Sequence, residues 1–179
     1  LLLLPLVKHD PYLRILRFVP DGILITFKVT VLSIPLAIVI GLVTGLGRIS
    51  SNRVINLIAS LYVEVVRGIP LLVQLFYIYY ALGRFVRVPD LVAAVIAMAF
   101  CYGAYRGEVF RAGIKSIERG QTEAALSLGF NSRKTMAWVV LPQAWRTILP
   151  PLGNEFIALL KDTSLVSILA LSDILRLGR

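Results

Sequence analysis

At 179 residues the chain has the length of one domain, but 58% hydrophobic residues and a mean hydropathy of +0.81 exceed what a soluble domain carries. The apolar excess lies in long runs, which points to a bilayer rather than to a large soluble core. The balance of 19 Lys and Arg against 10 Asp and Glu is basic. The cations sit between the apolar runs, as they do in membrane-flanking loops, and neither a recognition motif nor a basic stripe interleaved with aromatics is present, which argues against nucleic acid.

Residues 1–21 read as a short amphipathic or irregular approach segment. Leu1–Leu4 is apolar, but Pro5 and the charges at Lys8 and Asp10 end the run too early for a signal peptide. His9 has no companion ligands, so zinc is not expected. The first span is predicted over 22–47 and is closed by Arg48; Lys28 lies near its start, where its stem can snorkel outwards. Arg53–Leu82 is longer than the ~20 residues a span needs and holds Glu64, Arg67, Gly68 and Pro70. Val54–Val66 reads as a tilted or interfacial helix, Pro70 bends the chain, and the second span follows within 67–84. Glu64 and Arg67 are three apart and are placed to pair on one helix face.

Arg84–Asp90 reads as a loop and 90–112 as the third span, with Arg106 and Glu108 near its end. Cys101 is a small core residue in that run and, being the single cysteine, forms no intrachain disulfide. Arg111–Arg146 is polar and holds the densest Lys/Arg cluster. Pro150 and Pro151 open a fourth run, 150–172, interrupted by Asn154, Glu155, Lys161 and Asp162. Runs of this length cross a bilayer as helices, so the expected fold is all-α, a polytopic transmembrane helical bundle of four spans. With the N-terminus outside, nine Lys/Arg fall inside and seven outside. That bias and the cluster place the 111–146 loop in the cytoplasm.

Within that loop the physics favours a short amphipathic helix. Glu123, Ala124 and Ala125 are good helix residues and the acid suits the positive helix start. Gly129 is placed to end the helix in a left-handed conformation. Asn131 and Ser132 can then cap a second helix, expected to stop before Pro142. A helix, a glycine turn and a second helix outside the membrane suit docking on another protein; the plainer alternative is an ordinary surface helix.

Glu123-Ala124-Ala125, then Gly129, Val139 and Leu141-Pro142, resemble the EAA loop of importer permeases of the ATP-binding-cassette (ABC) class, with Val139 in place of the usual Ile. The strings Tyr62–Gln74 and Gly153–Ser167 resemble the polar amino-acid branch, the histidine/glutamine type. The resemblance implies a single permease domain over 1–179 in a bacterial inner membrane, paired with a second permease subunit. It implies a cytoplasmic ATP-binding subunit dimer that takes up each EAA helix through Glu123, Ala124, Ala125, Gly129, Leu141 and Pro142, and an extracytoplasmic substrate-binding protein. The chain has no phosphate-cradling Gly-x-x-x-x-Gly-Lys-Ser/Thr sequence, so it is expected to be no enzyme and to bind no cofactor, with ATP on the partner subunit. Members also have a further apolar span after the segment matching Leu171–Arg179, which this chain is expected to lack. They have apolar or small residues at Arg106-Gly107; the arginine either alters the pathway or reaches the cytoplasmic surface.

Ionisable residues inside a span mark cavities or pairs. Glu155 and Asp162 are seven apart, hence about 20° from the same helix face and about 10 Å apart along the axis. That face can attract the ammonium of a translocating amino acid. Lys161 lies about 100° round from Asp162 and can pair with a carboxylate of a neighbouring span or subunit. Gln74 is divided between lining the pathway and helix–helix hydrogen bonding. All four are candidate pathway residues, and all four can equally be structural glue. A secondary transporter or channel is the rival reading, but it calls for inverted repeats, which the sequence does not display. A membrane enzyme calls for a nucleophile–base or metal set.

Overall fold

The computed structural model describes residues 9–85 and 89–177, with side chains over 23–78, 80–81, 84 and 89–166. The described residues are almost all helical, with no strand among them, in the order α1 (His9–Ile49), α2 (Arg53–Gly68), α3 (Leu71–Phe85), α4 (Asp90–Lys115), α5 (Arg119–Ser127), α6 (Ser132–Thr135), a π turn (Met136–Val140) and α7 (Leu141–Leu177). Residues 9–21, expected as an approach segment, are helical and continuous with the first span, whereas 1–8 lie outside the described residues.

Among the described residues, Ile23–Ile49 and Asp90–Lys115 are long and apolar enough to cross a membrane. The pair Arg53–Gly68 and Leu71–Ile78, bent by 107° at the break, reaches that length and apolarity only when taken together, as a broken span or a re-entrant loop. The expected second span is therefore shorter than its run, because the chain turns a sharp corner at Gly68-Ile69-Pro70. The expected fourth span is a helix of ample length, but Glu155, Lys161 and Asp162 fall within eight residues of it, so it is not a uniformly apolar crossing. Nor does Pro150-Pro151 open it: α7 runs through both prolines from Leu141. Prolines are tolerated in such helices where neighbouring packing stands in for the lost bond.

The tightest seam joins α1 to α4. Gly41 and Gly45 on α1 meet Gly103 and Gly107 on α4, each pair four apart. A Cβ on Gly41 would stand 2.5 Å from the Cβ of Arg106, and one on Gly103 would stand 2.5 Å from Ile40. Without side chains at these positions the two backbones approach closely, which is how helices associate where lipid removes the hydrophobic drive. Ser33 adds a hydrogen bond across the same seam to the Val95 carbonyl at 3.4 Å. The main core gathers Val29, Ala37, Leu75, Met98 and Leu159 around α4. A second cluster of Phe110, Ile114, Val140, Ala144 and Ile148 ties the end of α4 to the π turn and the start of α7. The outer face of α1 carries Ile23, Phe27, Val39 and Val43 in the open, the pattern of a lipid-facing helix.

Charge pairing differs from the local pair expected. Glu64 and Arg67 do not join each other. Arg48 at the end of α1 reaches Glu64 at 3.3 Å and also pairs with Glu108, while Arg67 lies 3.9 Å from Glu108. Arg111 pairs with Glu108 one turn along α4. Glu108 thus gathers three guanidinium groups from α1, α2 and α4, a stronger field than one exposed i,i+3 partner supplies.

Candidate functional site

A cavity of about 220 Å3 lies between α3, α4 and α7, lined by Leu71, Tyr102, Tyr105, Glu155, Ala158 and Asp162. It is smaller than the several-hundred Å3 typical of drug-sized sites, so it suits a small solute. The helical repeat places Glu155 and Asp162 on one face of α7, and both reach this cavity. Tyr102 and Tyr105 come from one face of α4 with ring centroids 5.9 Å apart. The Tyr102 hydroxyl donates to Asp162 Oδ2 at 2.6 Å, which fixes one wall.

Behind the tyrosines lies Arg106, only 2% exposed. It does not reach a surface. Its guanidinium sits 5.8 Å from the Tyr102 ring centroid, and its Nε is 3.9 Å from Glu155 Oε2, an ion-pair distance too long for a hydrogen bond. Arg106 Nη1 and Glu155 Oε2 have no hydrogen-bond partner among the described protein groups. A buried donor or acceptor left unpaired costs about 1–3 kcal/mol, more for a charge. Such groups are retained where they have a use. The cavity therefore offers two carboxylates to a cation, and the Arg106 guanidinium is buried beside one of them, outside the lining.

The remaining pathway candidates lie elsewhere. Gln74 is 6% exposed. Its Nε2 donates to the carbonyls of Val66 at 2.5 Å and Ile69 at 2.6 Å, and its Oε1 accepts from the Cys101 thiol at 3.0 Å. These are the carbonyls freed by the α2–α3 corner, so the amide holds the bend together. Lys161 is exposed on α7 and forms no ion pair among the described residues. Tyr102, Tyr105 and Leu71 are functional candidates only once the fold brings them to Glu155 and Asp162. The available signal was the Tyr102-x-x-Tyr105-Arg106 spacing, which puts polar groups on one face of an otherwise apolar span.

The segment expected to dock on an ATP-binding subunit contributes nothing to the cavity lining. α5 holds Glu123, Ala124 and Ala125, of which only Ala125 is buried. Gly129 has φ 85°, the single left-handed glycine among the described residues, and the Phe130 N–H donates back to Ala125 O at 3.1 Å. Asn131 caps α6 by accepting from the Lys134 N–H. The second helix does not stop before Pro142. The π turn carries it onward, the Leu141 N–H donating to Met136 O, and Pro142 sits in the first turn of α7, where a missing N–H costs little. Leu141 and Pro142 line a separate apolar groove with Trp145. Leu128 and Trp138 are 80% and 76% exposed.

A family model described as binding-protein-dependent transport system inner membrane component matches residues 37–178. The chain is similar to the L-cystine transport system permease protein TcyB of Bacillus subtilis, 43% identical over 156 residues, covering 87% of this chain and 67% of that one. It is similar to the putative glutamine transport system permease protein GlnP of Rickettsia prowazekii, 39% identical over 177 residues, covering 98% and 80%. A crystal structure of an amino acid ABC transporter with histidines superposes with a TM-score of 0.80 at 41% identity, covering 91% of this chain and 78% of that one.

Proposed function

The chain belongs to the family of binding-protein-dependent transport system inner membrane components, and from that premise we propose that it conducts a polar amino acid through the cavity between α4 and α7. It is the membrane permease subunit of an ABC importer, working with an ATP-binding subunit and a substrate-binding protein. In our reading, ATP is hydrolysed on the partner subunit and this chain binds no cofactor. A second permease subunit completes the pathway, and residues 1–179 belong to a single permease domain.

The observation that carries the substrate proposal is the pair of carboxylates, Glu155 and Asp162, lining one small cavity, with the unpartnered Nη1 of Arg106 buried beside Glu155. Glu155 and Asp162 would take the ammonium of a zwitterion, and Arg106 Nη1 would take its carboxylate. Charge-assisted hydrogen bonds of this kind are about twice as strong as neutral ones. A sugar or a simple cation would leave one half of this set unused. The names of the relatives, which concern cystine and glutamine, lie in the same chemical class.

Coupling would run through Glu123, Ala124, Ala125 and Gly129 into the ATP-binding subunit, and from Leu141 and Pro142 along α7 to Glu155. Gln74 is better read as holding the corner than as lining the route. Lys161 is free to meet a carboxylate of the second subunit. The test is uptake per assembled complex. Glu155→Gln and Asp162→Asn should each lower amino-acid uptake about tenfold with normal assembly. Unchanged rate and selectivity in both would remove the proposal.

A further inference from the structure

The corner that ends α2 and begins α3 delivers two residues to one place. Leu71, the first residue of α3, forms part of the cavity wall. Four residues earlier, Arg67 lies with its guanidinium carbon 5.6 Å from the centroid of the Tyr105 ring, within cation–π range. Tyr105 is itself a wall of the cavity. Arg67 is held from behind by Glu108 at 3.9 Å, and Glu108 is fixed in turn by Arg48 and Arg111. A connected path therefore runs from the charge cluster where α1, α2 and α4 meet, through Arg67, to an aromatic side of the solute cavity.

We propose that Arg67 is a positioning residue for solute binding: anchored by Glu108, it holds the Tyr105 ring in place as the cavity wall and keeps a positive charge at the rim. This rests on the reading of the cavity as the amino-acid site. A tyrosine released from this contact has other rotamers open to it. Losing the wall weakens every solute. Losing the rim charge favours a cationic solute over a neutral one, because the two carboxylates are then less opposed. The two consequences together are the signature of Arg67, and a residue that merely stabilised the fold would produce neither in the assembled protein.

The experiment measures equilibrium binding of L-glutamine and L-arginine to the permease complex, with its ATP-binding subunit, in nanodiscs. Arg67→Gln and Tyr105→Leu should each weaken L-glutamine binding about three- to five-fold, the scale of one cation–π contact. The double variant should be no worse than the weaker-binding single, since both act on one wall. Tyr105→Phe keeps the ring and should weaken L-glutamine binding less than Tyr105→Leu does. Arg67→Gln should also raise the affinity for L-arginine relative to L-glutamine at least two-fold. If Arg67→Gln fails to assemble, Arg67→Lys carries the test: it lacks the flat guanidinium and should bind L-glutamine about two-fold more weakly. Native-like binding by whichever Arg67 variant assembles, or multiplied effects in the double variant, overturns the proposal. Glu155→Gln in the same assay separates the two levels. If it abolishes binding while the Arg67 variants do nothing, the cavity reading stands and the role of Arg67 falls. If it leaves binding intact, the cavity reading itself falls.

Discussion

The two sides of α4 face opposite physical problems. Towards α1, Gly103 and Gly107 meet Gly41 and Gly45 in a seam where an added methyl group would strike a neighbouring side chain. Towards α7, Tyr102 and Tyr105 line a cavity and Arg106 leaves a nitrogen without a partner. The first side is closely packed, and the second holds a small charged cavity. One helix is thereby clamped to a fixed neighbour while it presents chemistry to another. α7, which supplies Glu155 and Asp162, also follows directly on α6 through the π turn. Under the proposed docking of α5 on an ATP-binding subunit, α1–α4 would be the stationary half and α7 the working half. In that proposal a force entering at α5 would reach the carboxylates without having to open the glycine seam.

The largest expected effect comes from breaking the stationary half. Gly41→Leu places a side chain against the Cβ and backbone of Arg106, where the nearest atoms cannot swing away. Overpacking of this kind costs about 1–3 kcal/mol or more, and the shift would carry Arg106 away from Glu155. The variant should lose most of its folded yield, measured as monodisperse permease after purification, and the remainder should not bind amino acid. Native yield would mean that the seam yields as easily as the cavity.

A smaller effect is expected where the working half receives its input. Gly129 stands at φ 85° with open space around it, so sterics with neighbours do not restrict a side chain but the backbone does. Gly129→Val forces a β-branched residue into a conformation worth about 1–2 kcal/mol of strain. The turn between α5 and α6 should reshape while the membrane helices stay intact. ATP hydrolysed per amino acid imported should rise several-fold in proteoliposomes, with complex assembly preserved. An unchanged ratio would mean that the turn plays no part in transmission.

The same contrast explains what could be read from the sequence. Features fixed by local geometry were legible: the left-handed Gly129, the Asn131 cap and the shared face of Glu155 and Asp162 each follow from a few neighbouring residues. Features fixed by distant partners were not. Glu64 and Arg67 satisfy the local pairing rule, yet Arg48 and Glu108, 16 and 41 residues away respectively, take them instead. Pro142, Pro150 and Pro151 read as helix boundaries, but a π turn and surrounding packing let one helix run through all three. Tyr102 and Tyr105 were hidden because tyrosines in an apolar run are ordinary membrane residues until a carboxylate is known to lie opposite.

The smallest expected effect probes whether α7 has to bend. Gly153 lies inside α7, two residues after Pro151 and two before Glu155, and an added Cβ there would meet nothing within 4 Å. Glycine inside a helix costs roughly 0.5–1 kcal/mol relative to alanine because it leaves more freedom to be lost on folding. Gly153→Ala should therefore stabilise the permease, raising its thermal midpoint by about 2 °C for a chain of this size. Side-chain packing alone predicts no further consequence. A mobile α7 predicts another: stiffening the turn between the two prolines and Glu155 should slow import about two-fold while leaving amino-acid affinity unchanged, since the groups that touch the solute are untouched. Thermal unfolding, binding and turnover on the same preparation separate these cases. A higher midpoint with undiminished turnover would show that α7 moves as a rigid rod, and the flexing would have to lie in the π turn instead.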